Sequence, residues 1–431
     1  MDNISTVKSV IHLYIPFKIH HTSAFRIKLA TNDNWSIDSS LCTSFYLRYI
    51  DRIFNNGGIY SDCLVMRSSF DHYSLKAYAI PFELGCARIF SFDTSVAFLE
   101  LSICYSCDSL DDVANLTSVL RLSNQKSITT PDGKVTSINA IASQMLRPFG
   151  KVTMFEHLGM GGETRPELLV SAVTDAMPDN ADMHAYRIAS GLDTRYNENP
   201  DDARFYSNFS YIKWAITERG VCNIGALTDN KENSDFIANN WLSYTDTRYV
   251  IWYMLVLHQK YSMYQYMNDI ANKSTLGNLR EFQKKIMVFN TKYRFSIVSE
   301  EASYQKLYEI MCDVKGLERE FNDIDEEIER ISEYHESKAN KNTTRAMTII
   351  SILCAVSAIK DFYEIIAGGS MRERLAQSWI GLSLEAQVFF GVFLTLIAAA
   401  MIIVLPKTSV KQSMKRFTRK IVSFMLNKKT K

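Results

Sequence analysis

The longest apolar run in the chain, residues 386–405, has no charged residue over twenty positions. A helix needs about that many residues to cross the ~30 Å hydrocarbon core of a membrane. A shorter apolar run, 346–359, is interrupted by Lys360 and Asp361 and then continues to Ala367. On hydropathy alone it also fits a buried core helix, but its place just before the longer run favours a second span. The pattern predicts a two-helix membrane hairpin, at about 346–367 and 386–405.

Small and hydroxylated residues form one stripe on the first of these predicted helices. They recur at steps of three and four, which puts them on one helix face: Thr344, Thr348, Ser351, Ala355 and Ala358. Such a stripe suits either close helix packing or a water-filled lumen. We take pore lining as the sharper hypothesis and plain packing as its alternative.

Basic residues predict the orientation of the hairpin. The tail 407–431 carries nine Lys or Arg and no acidic residue, whereas the connection 360–385 carries three. Basic segments stay on the cytoplasmic side of a membrane. We therefore expect a multi-pass protein of the inner cell membrane, with both termini cytoplasmic and Gly368–Gly369 outside.

A heptad pattern precedes the first predicted span. Its apolar positions alternate steps of three and four: Leu307, Ile310, Val314, Leu317, Phe321, Ile324, Ile328 and Ile331. This spacing is typical of a coiled coil. We predict one helix over 302–362, with Gly316 as a weak point and a candidate hinge. The opposite face is acidic, and a solvated coiled-coil face is a better reading of it than a cation site.

The rest of the chain divides into a mixed N-terminal part and a helical part. Val7–Ile19 reads as a strand that Pro16 either confines to an edge or ends early, and 109–122 reads as a capped helix. Residues 75–82, 87–105, 183–188 and 211–216 read as further strands, and 123–148 as a loop. Aromatic and Met residues at helical spacing mark 241–271 and 276–289 as helices. The predicted domains are an α/β domain (1–240), a helical stalk (241–343), the membrane helices (344–406) and a basic tail (407–431).

Candidate chemistry is sparse. The net charge is +1, so no global field points to nucleic acid. The eight cysteines are scattered and fit a reducing cytosol, and Cys104 and Cys107 form a lone CxxC without a second pair. A short glycine loop at 159–162, close to Arg165, is a turn or a ligand loop. His258 lies among apolar residues and reads as a packed histidine. No motif argues for an enzyme.

The stalk, the two spans and the basic tail together resemble the CorA-like magnesium-transporter superfamily. Two segments carry the resemblance: 89–101, which looks like the family's strand pair, and 253–270 with its Leu-His-Gln-Lys-Tyr-Ser core. The fold implied is an α+β cytosolic domain, long coiled-coil stalk helices and a two-helix transmembrane hairpin. The resemblance also implies a homo-oligomer, typically a pentamer, with Mg²⁺ as the permeant or regulatory ion.

The family's Gly-Met-Asn motif after the first span is missing. Arg372 and Arg374 near this mouth would repel a divalent ion; the predicted pore mouth comprises Asp361, Glu364, Gly368, Gly369, Arg372 and Arg374. A divergent branch of the superfamily, encoded beside type III CRISPR systems, resembles ligand-gated membrane effectors switched on by a nucleotide made from ATP and S-adenosylmethionine. We expect a channel of that kind; the alternatives are a housekeeping divalent-cation transporter and a membrane-anchored coiled-coil scaffold.

Overall fold

The protein is described by a computed structural model that covers residues 7–55, 58–155, 165–195, 202–272 and 276–367. Its strands are β1 (Val7–Ile19), β2 (Ser36–Ile37), β3 (Cys63–Ala77), β4 (Ile80–Phe92), β5 (Val96–Cys107), β6 (Ile128–Thr129), β7 (Val135–Thr136), β8 (Val152–Met154), β9 (Glu167–Thr174), β10 (Arg204–Phe209), β11 (Ile212–Thr217) and β12 (Gly220–Ala226). Its α-helices are α1 (Thr22–Ala30), α2 (Arg48–Asn55), α3 (Leu110–Arg121), α4 (Ile138–Leu146), α5 (Ala181–Ser190), α6 (Lys231–Tyr244), α7 (Val250–Asn272), α8 (Leu276–Tyr293), α9 (Ala302–Val314) and α10 (Leu317–Ala367). A π-helix, Thr245–Tyr249, joins α6 to α7.

One large mixed sheet organises the fold. Its main path runs β10-β11-β12-β9-β1-β5-β4-β3-β6-β7, with β2 paired to β3 and β8 paired to β1. Strands β9 and β12 are parallel, and the other pairs are antiparallel. The parallel pair is connected through α5 and the β10–β11 hairpin, as a crossover between parallel strands requires.

Strand β1 is central, so the prediction that Pro16 places it at an edge is wrong. One side of β1 pairs with β5 along nearly its whole length. The other side pairs with β9 at residues 8–14 and with β8 at residues 17–19. Pro16 therefore falls at the break between two partner strands, a place where a residue without an N–H is tolerated.

The first eight residues of helix α7 are apolar around the whole circumference because this part of the helix is buried on all sides. Every residue from Val250 to Leu257 is at most 1% exposed. The Tyr253 hydroxyl donates to the Leu168 carbonyl of β9 at 2.8 Å, which fixes the helix against the sheet. His258 stacks on Phe92 at 3.8 Å between ring centroids, and burial lowers its pKa well below the usual value. The prediction of a packed histidine is confirmed.

The chain divides into two compact units, Met1–Glu326 and Glu327–Lys431. The first contains the sheet, α1–α9 and the start of α10. The described part of the second is the continuation of α10 to Ala367. The predicted single helix over 302–362 is wrong, because α9 ends at Val314 and α10 begins at Leu317.

Two local predictions in the N-terminal part are also wrong. Residues 183–188 belong to α5, which ends on Gly191 in the left-handed conformation, a common helix stop. The predicted loop 123–148 contains β6, β7 and α4, and α4 begins where the Ser137 hydroxyl accepts a hydrogen bond from the Ala140 amide at 3.2 Å.

The predicted two-helix membrane hairpin is wrong. No helix among residues 7–55, 58–155, 165–195, 202–272 and 276–367 is long and apolar enough to cross a membrane. The first predicted span, 346–367, is the end of α10, and its apolar run before Lys360 covers only ~21 Å at ~1.5 Å per residue, short of the ~30 Å required. The second, 386–405, lies outside the described residues. The predicted fold class, the membrane-channel assignment and the multi-pass inner-membrane location are therefore wrong.

Candidate functional site

The break between α9 and α10 is built around Gly316. Its φ of +67° lies in the left-handed region, which glycine adopts without steric cost. The amides of Lys315 and Gly316 donate to Met311 and Asp313 at 2.9 Å and close the last turn of α9. The Glu320 amide donates to the Gly316 carbonyl at 3.1 Å and opens α10. The sequence predicted Gly316 as a candidate hinge, and the structure confirms a break in the helix there.

A buried ion cluster holds this junction against the sheet. Glu167, the first residue of β9, accepts from the Lys315 ammonium group at 2.6 Å. Its other oxygen accepts from Lys260 of α7 and from the Tyr261 hydroxyl, each at 3.2 Å. The side chains of Glu167, Lys260 and Lys315 are at most 5% exposed. Two lysines therefore share one carboxylate in a site that water barely reaches.

The pKa directions follow from that arrangement. Burial alone would raise the pKa of Glu167, but the charges of Lys260 and Lys315 outweigh it and lower the pKa to about 2. Burial lowers the pKa of Lys315 to about 8, against the opposing pull of Glu167. The pKa of Lys260 is instead raised, chiefly because Glu167 outweighs its burial. Lys315 is thus the lysine whose charge is less firmly held.

A cavity of about 690 Å³ opens beside the junction. We call it the hinge pocket; its lining includes Gln259, Phe295, Tyr308, Arg319 and Phe321, and Gly316 itself. Gln259 donates to the Tyr308 hydroxyl at 3.1 Å, and that hydroxyl donates to the Phe295 carbonyl at 3.1 Å. The pocket thus combines hydrogen-bonded polar groups, aromatic rings and charged side chains of both signs.

Three arginines and five acidic residues line the hinge pocket: Arg204, Arg294, Arg319, Asp202, Glu218, Glu309, Asp313 and Glu318. The Arg294 guanidinium lies 4.6 Å from the centroid of the Phe321 ring, pairs with Glu318, and lies 3.7 Å from Asp325. Arg319 is exposed and reaches back over the hinge, so that a Cβ at Gly316 would lie 3.1 Å from its Nη2. Glu320 points to the same region; burial raises its pKa to about 7 against the opposing charge of Lys260.

A second buried cluster offers atoms of the kind that bind metals, but its geometry fits an ion-pair network. His12, Glu100 and Asp246 place ligand atoms within 4.8 Å of one another. Arg88 already donates to both Glu100 oxygens, at 2.7 and 2.8 Å, and also pairs with Asp246. The guanidinium would compete with a cation for both carboxylates. The cluster joins β1, β4 and β5 to the π-helix, and the expected Mg²⁺ remains a prediction.

The residues predicted for a pore are only partly described. Thr344, Thr348 and Ser351 are exposed on α10, and the Thr348 hydroxyl donates to the Thr344 carbonyl of its own helix at 2.8 Å. Ala355, Ala358, Asp361 and Glu364 belong to α10, but their side chains lie outside the description. Gly368, Gly369, Arg372 and Arg374 lie wholly outside the described residues. The pore assignment depends on the membrane hairpin, which the described helices do not provide.

The other candidate motifs give no site. Cys104 and Cys107 sit on β5 as free thiols, and burial raises the pKa of Cys107 to about 11, so both remain protonated near neutral pH. The glycine loop 159–162 lies outside the described residues. Glu167, Lys260 and Lys315 were not predicted as site residues from the sequence. Charged residues within otherwise apolar segments were the available signal for Glu167 and Lys260.

In comparison with known proteins, no protein-family model, no curated protein and no solved structure matches the chain. The resemblance to CorA-like proteins therefore remains a prediction from the two segments that carry it.

Proposed function

We propose that the protein is a ligand-responsive switch in which a small molecule in the hinge pocket changes the geometry of the α9–α10 junction. One observation carries this proposal. Lys315, directly before the left-handed Gly316, is held by the buried Glu167 at 2.6 Å, at the side of a 690 Å³ cavity. A ligand in that cavity would touch the residues that set the direction of α10.

The energetics of the cluster favour two states. Removing one partner of a buried ion pair usually costs about 3–5 kcal/mol, because the other charge is left without compensation. Here Lys260 still neutralises Glu167 when Lys315 moves away. Lys315 also loses its charge more readily than an ordinary lysine. Release of Lys315 is therefore cheaper than the rupture of a simple buried pair, as a switch requires.

A nucleotide is the ligand that we propose for the pocket, on the basis of its size, one aromatic ring and one exposed guanidinium; the lining also includes Asp202, Glu218, Glu309, Asp313 and Glu318. Cavities of about 300–1,000 Å³ hold molecules of that size. Phe295 is partly exposed and offers its ring to a base, whereas Tyr308 and Phe321 are 3% and 4% exposed. Arg319 offers a planar guanidinium to a phosphate. The ligand that the resemblance implies, made from ATP and S-adenosylmethionine, has both a base and a phosphate. The homo-oligomer expected from the resemblance is compatible with this role and remains a prediction.

Calorimetric titration with ATP and with S-adenosylmethionine tests the proposal. We expect saturable binding of at least one of them, weakened by Arg319→Ala. Arg319 is exposed, so this substitution leaves folding intact. Lys306→Ala, which removes an exposed cation from α9 outside the pocket, is the matched control. Binding of neither compound, or equal weakening by both substitutions, would refute the proposal.

A further inference from the structure

Arg165 and Arg219 both lie at the end of the sheet where the parallel strands β9 and β12 begin. The register places Gly220 beside Leu168. Arg219 directly precedes Gly220, and Arg165 lies three residues before Leu168. Neighbouring parallel strands lie about 4.8 Å apart, so both side chains start from the same end of the sheet. The Arg165 Nε is buried and has no hydrogen-bond partner among the described residues.

A third arginine reaches this place from the end of α3. Arg121 is 9% exposed, and its Nη1 donates to the Ser190 carbonyl at the end of α5 at 2.9 Å. Its stem crosses Gly191, where a Cβ would lie 2.5 Å from Arg121 Cδ. A Cβ at Gly220 would lie 2.7 Å from the carbonyl oxygens of both Ala189 and Leu168. The end of α5 therefore packs closely against the start of β12. The Arg121 Nε is also buried without a hydrogen-bond partner among the described residues.

No ion pair between the residues that the structure covers holds any of these three arginines. Burial, followed by the charges of Arg219 and Arg165, lowers the pKa of Arg121 to about 10, against the opposing charges of Glu167 and Glu218. Cations held together in a partly buried site are costly unless an anion compensates them.

We propose that Arg121, Arg165 and Arg219 form a binding site for a phosphate or pyrophosphate group of a small ligand. Guanidinium groups match phosphate oxygens with paired N–H donors, and buried, unpaired donors gain most from such an anion. The site differs from the hinge pocket, whose lining includes none of these three residues.

The arginine site adjoins the residues that hold the hinge. The backbone carbonyl of Glu218, next to Arg219 in the chain, accepts a hydrogen bond from the Lys315 ammonium group. The carboxylate of Glu167, two residues after Arg165, accepts a hydrogen bond from the same ammonium group. An anion bound by Arg165 and Arg219 would shift the backbone next to Glu167 and Glu218, and these two residues hold Lys315. This coupling rests on the proposed function, whereas the binding site does not.

Titration of the full chain with inorganic pyrophosphate at low ionic strength tests the site. We expect wild-type binding that falls at least about tenfold in Arg219→Gln and in Arg165→Gln, because each loses a charge-assisted contact. Arg52→Gln, which removes an exposed arginine from α2, should leave the affinity unchanged. Arg219→Lys keeps the positive charge but loses the paired N–H donors of the guanidinium, so its pyrophosphate affinity should lie between those of Arg219→Gln and the wild type. Circular dichroism checks that each variant is folded.

The outcomes separate the two proposals. Absence of pyrophosphate binding, equal weakening by Arg52→Gln, or acetate bound as tightly as pyrophosphate would overturn the phosphate site. Pyrophosphate binding that depends on Arg165 and Arg219 but leaves amide exchange at 312–320 unchanged would confirm the site and refute its coupling to the hinge.

Discussion

Replacing Glu167 by Gln isolates the contribution of the shared carboxylate. The substitution leaves Lys260 and Lys315 buried together with no counter-charge, since both contact this one carboxylate and both side chains are at most 4% exposed. Loss of one partner from a buried ion pair costs about 3–5 kcal/mol, and we expect a loss of unfolding free energy in that range for Glu167→Gln. Lys315→Met should cost about 1 kcal/mol or less, because Lys260 still compensates Glu167 and a methionine fills the buried path.

Urea denaturation followed by tryptophan fluorescence measures both changes, because Trp241 and Trp252 are buried in the same compact unit. Glu232→Gln, an exposed change of the same kind on α6, is the control and should stay within about 0.5 kcal/mol of wild type. Equal losses for Glu167→Gln and Lys315→Met would refute the view that two lysines share one carboxylate. A neutral Glu167→Gln would show that the cluster does not hold the junction.

Substitutions of Glu320, Gly316 and Arg88 test other parts of the same structure. Because the pKa of Glu320 is about 7 when folded and near 4.5 when unfolded, the folded state binds more protons between those values, and the wild type loses stability as pH rises from about 4.5 through 7. Glu320→Gln should therefore raise the melting temperature at pH 8 and leave it unchanged at pH 4. Gly316→Ala should cost about 1 kcal/mol of unfolding free energy in urea denaturation, because alanine is strained at φ +67°. Gly133→Ala also places alanine at a positive φ, but away from the hinge, and it should leave nucleotide binding unchanged. Arg88→Met should cost about 3–5 kcal/mol near pH 7, since it leaves the Glu100 carboxylate buried beside Asp246 without a guanidinium; a loss under 1 kcal/mol would contradict the ion-pair network.

Local signals were enough to predict several elements. Strand β1 has the predicted bounds, and α3 begins as its capping signal indicated, with the Ser109 hydroxyl accepting from the Asp112 amide. A run of alternating apolar residues and a serine before a helical pattern each act over a few residues, so they can be read directly from the sequence.

The errors arise where distant contacts decide. Residues 183–188 alternate as a strand would, but as α5 they bury Ala185 and Ile188 against the sheet. The partners Glu167 and Lys315 are 148 positions apart, and no local pattern pairs them. The three arginines likewise come from separate elements that only the strand register and the end of α5 bring together. The first predicted span was overestimated because apolar residues beyond Lys360 and Asp361 were counted toward a membrane helix.

Hydrogen exchange across the α9–α10 junction tests the central claim most directly. The account predicts that saturating ATP or S-adenosylmethionine changes exchange at the amides of 312–320, because release or tightening of Lys315 alters the bonds that end α9 and begin α10. Amides of β1, which is central in the sheet, should stay unchanged and serve as the internal reference. Ligand binding that leaves exchange at 312–320 equal to that of the free protein would contradict the account.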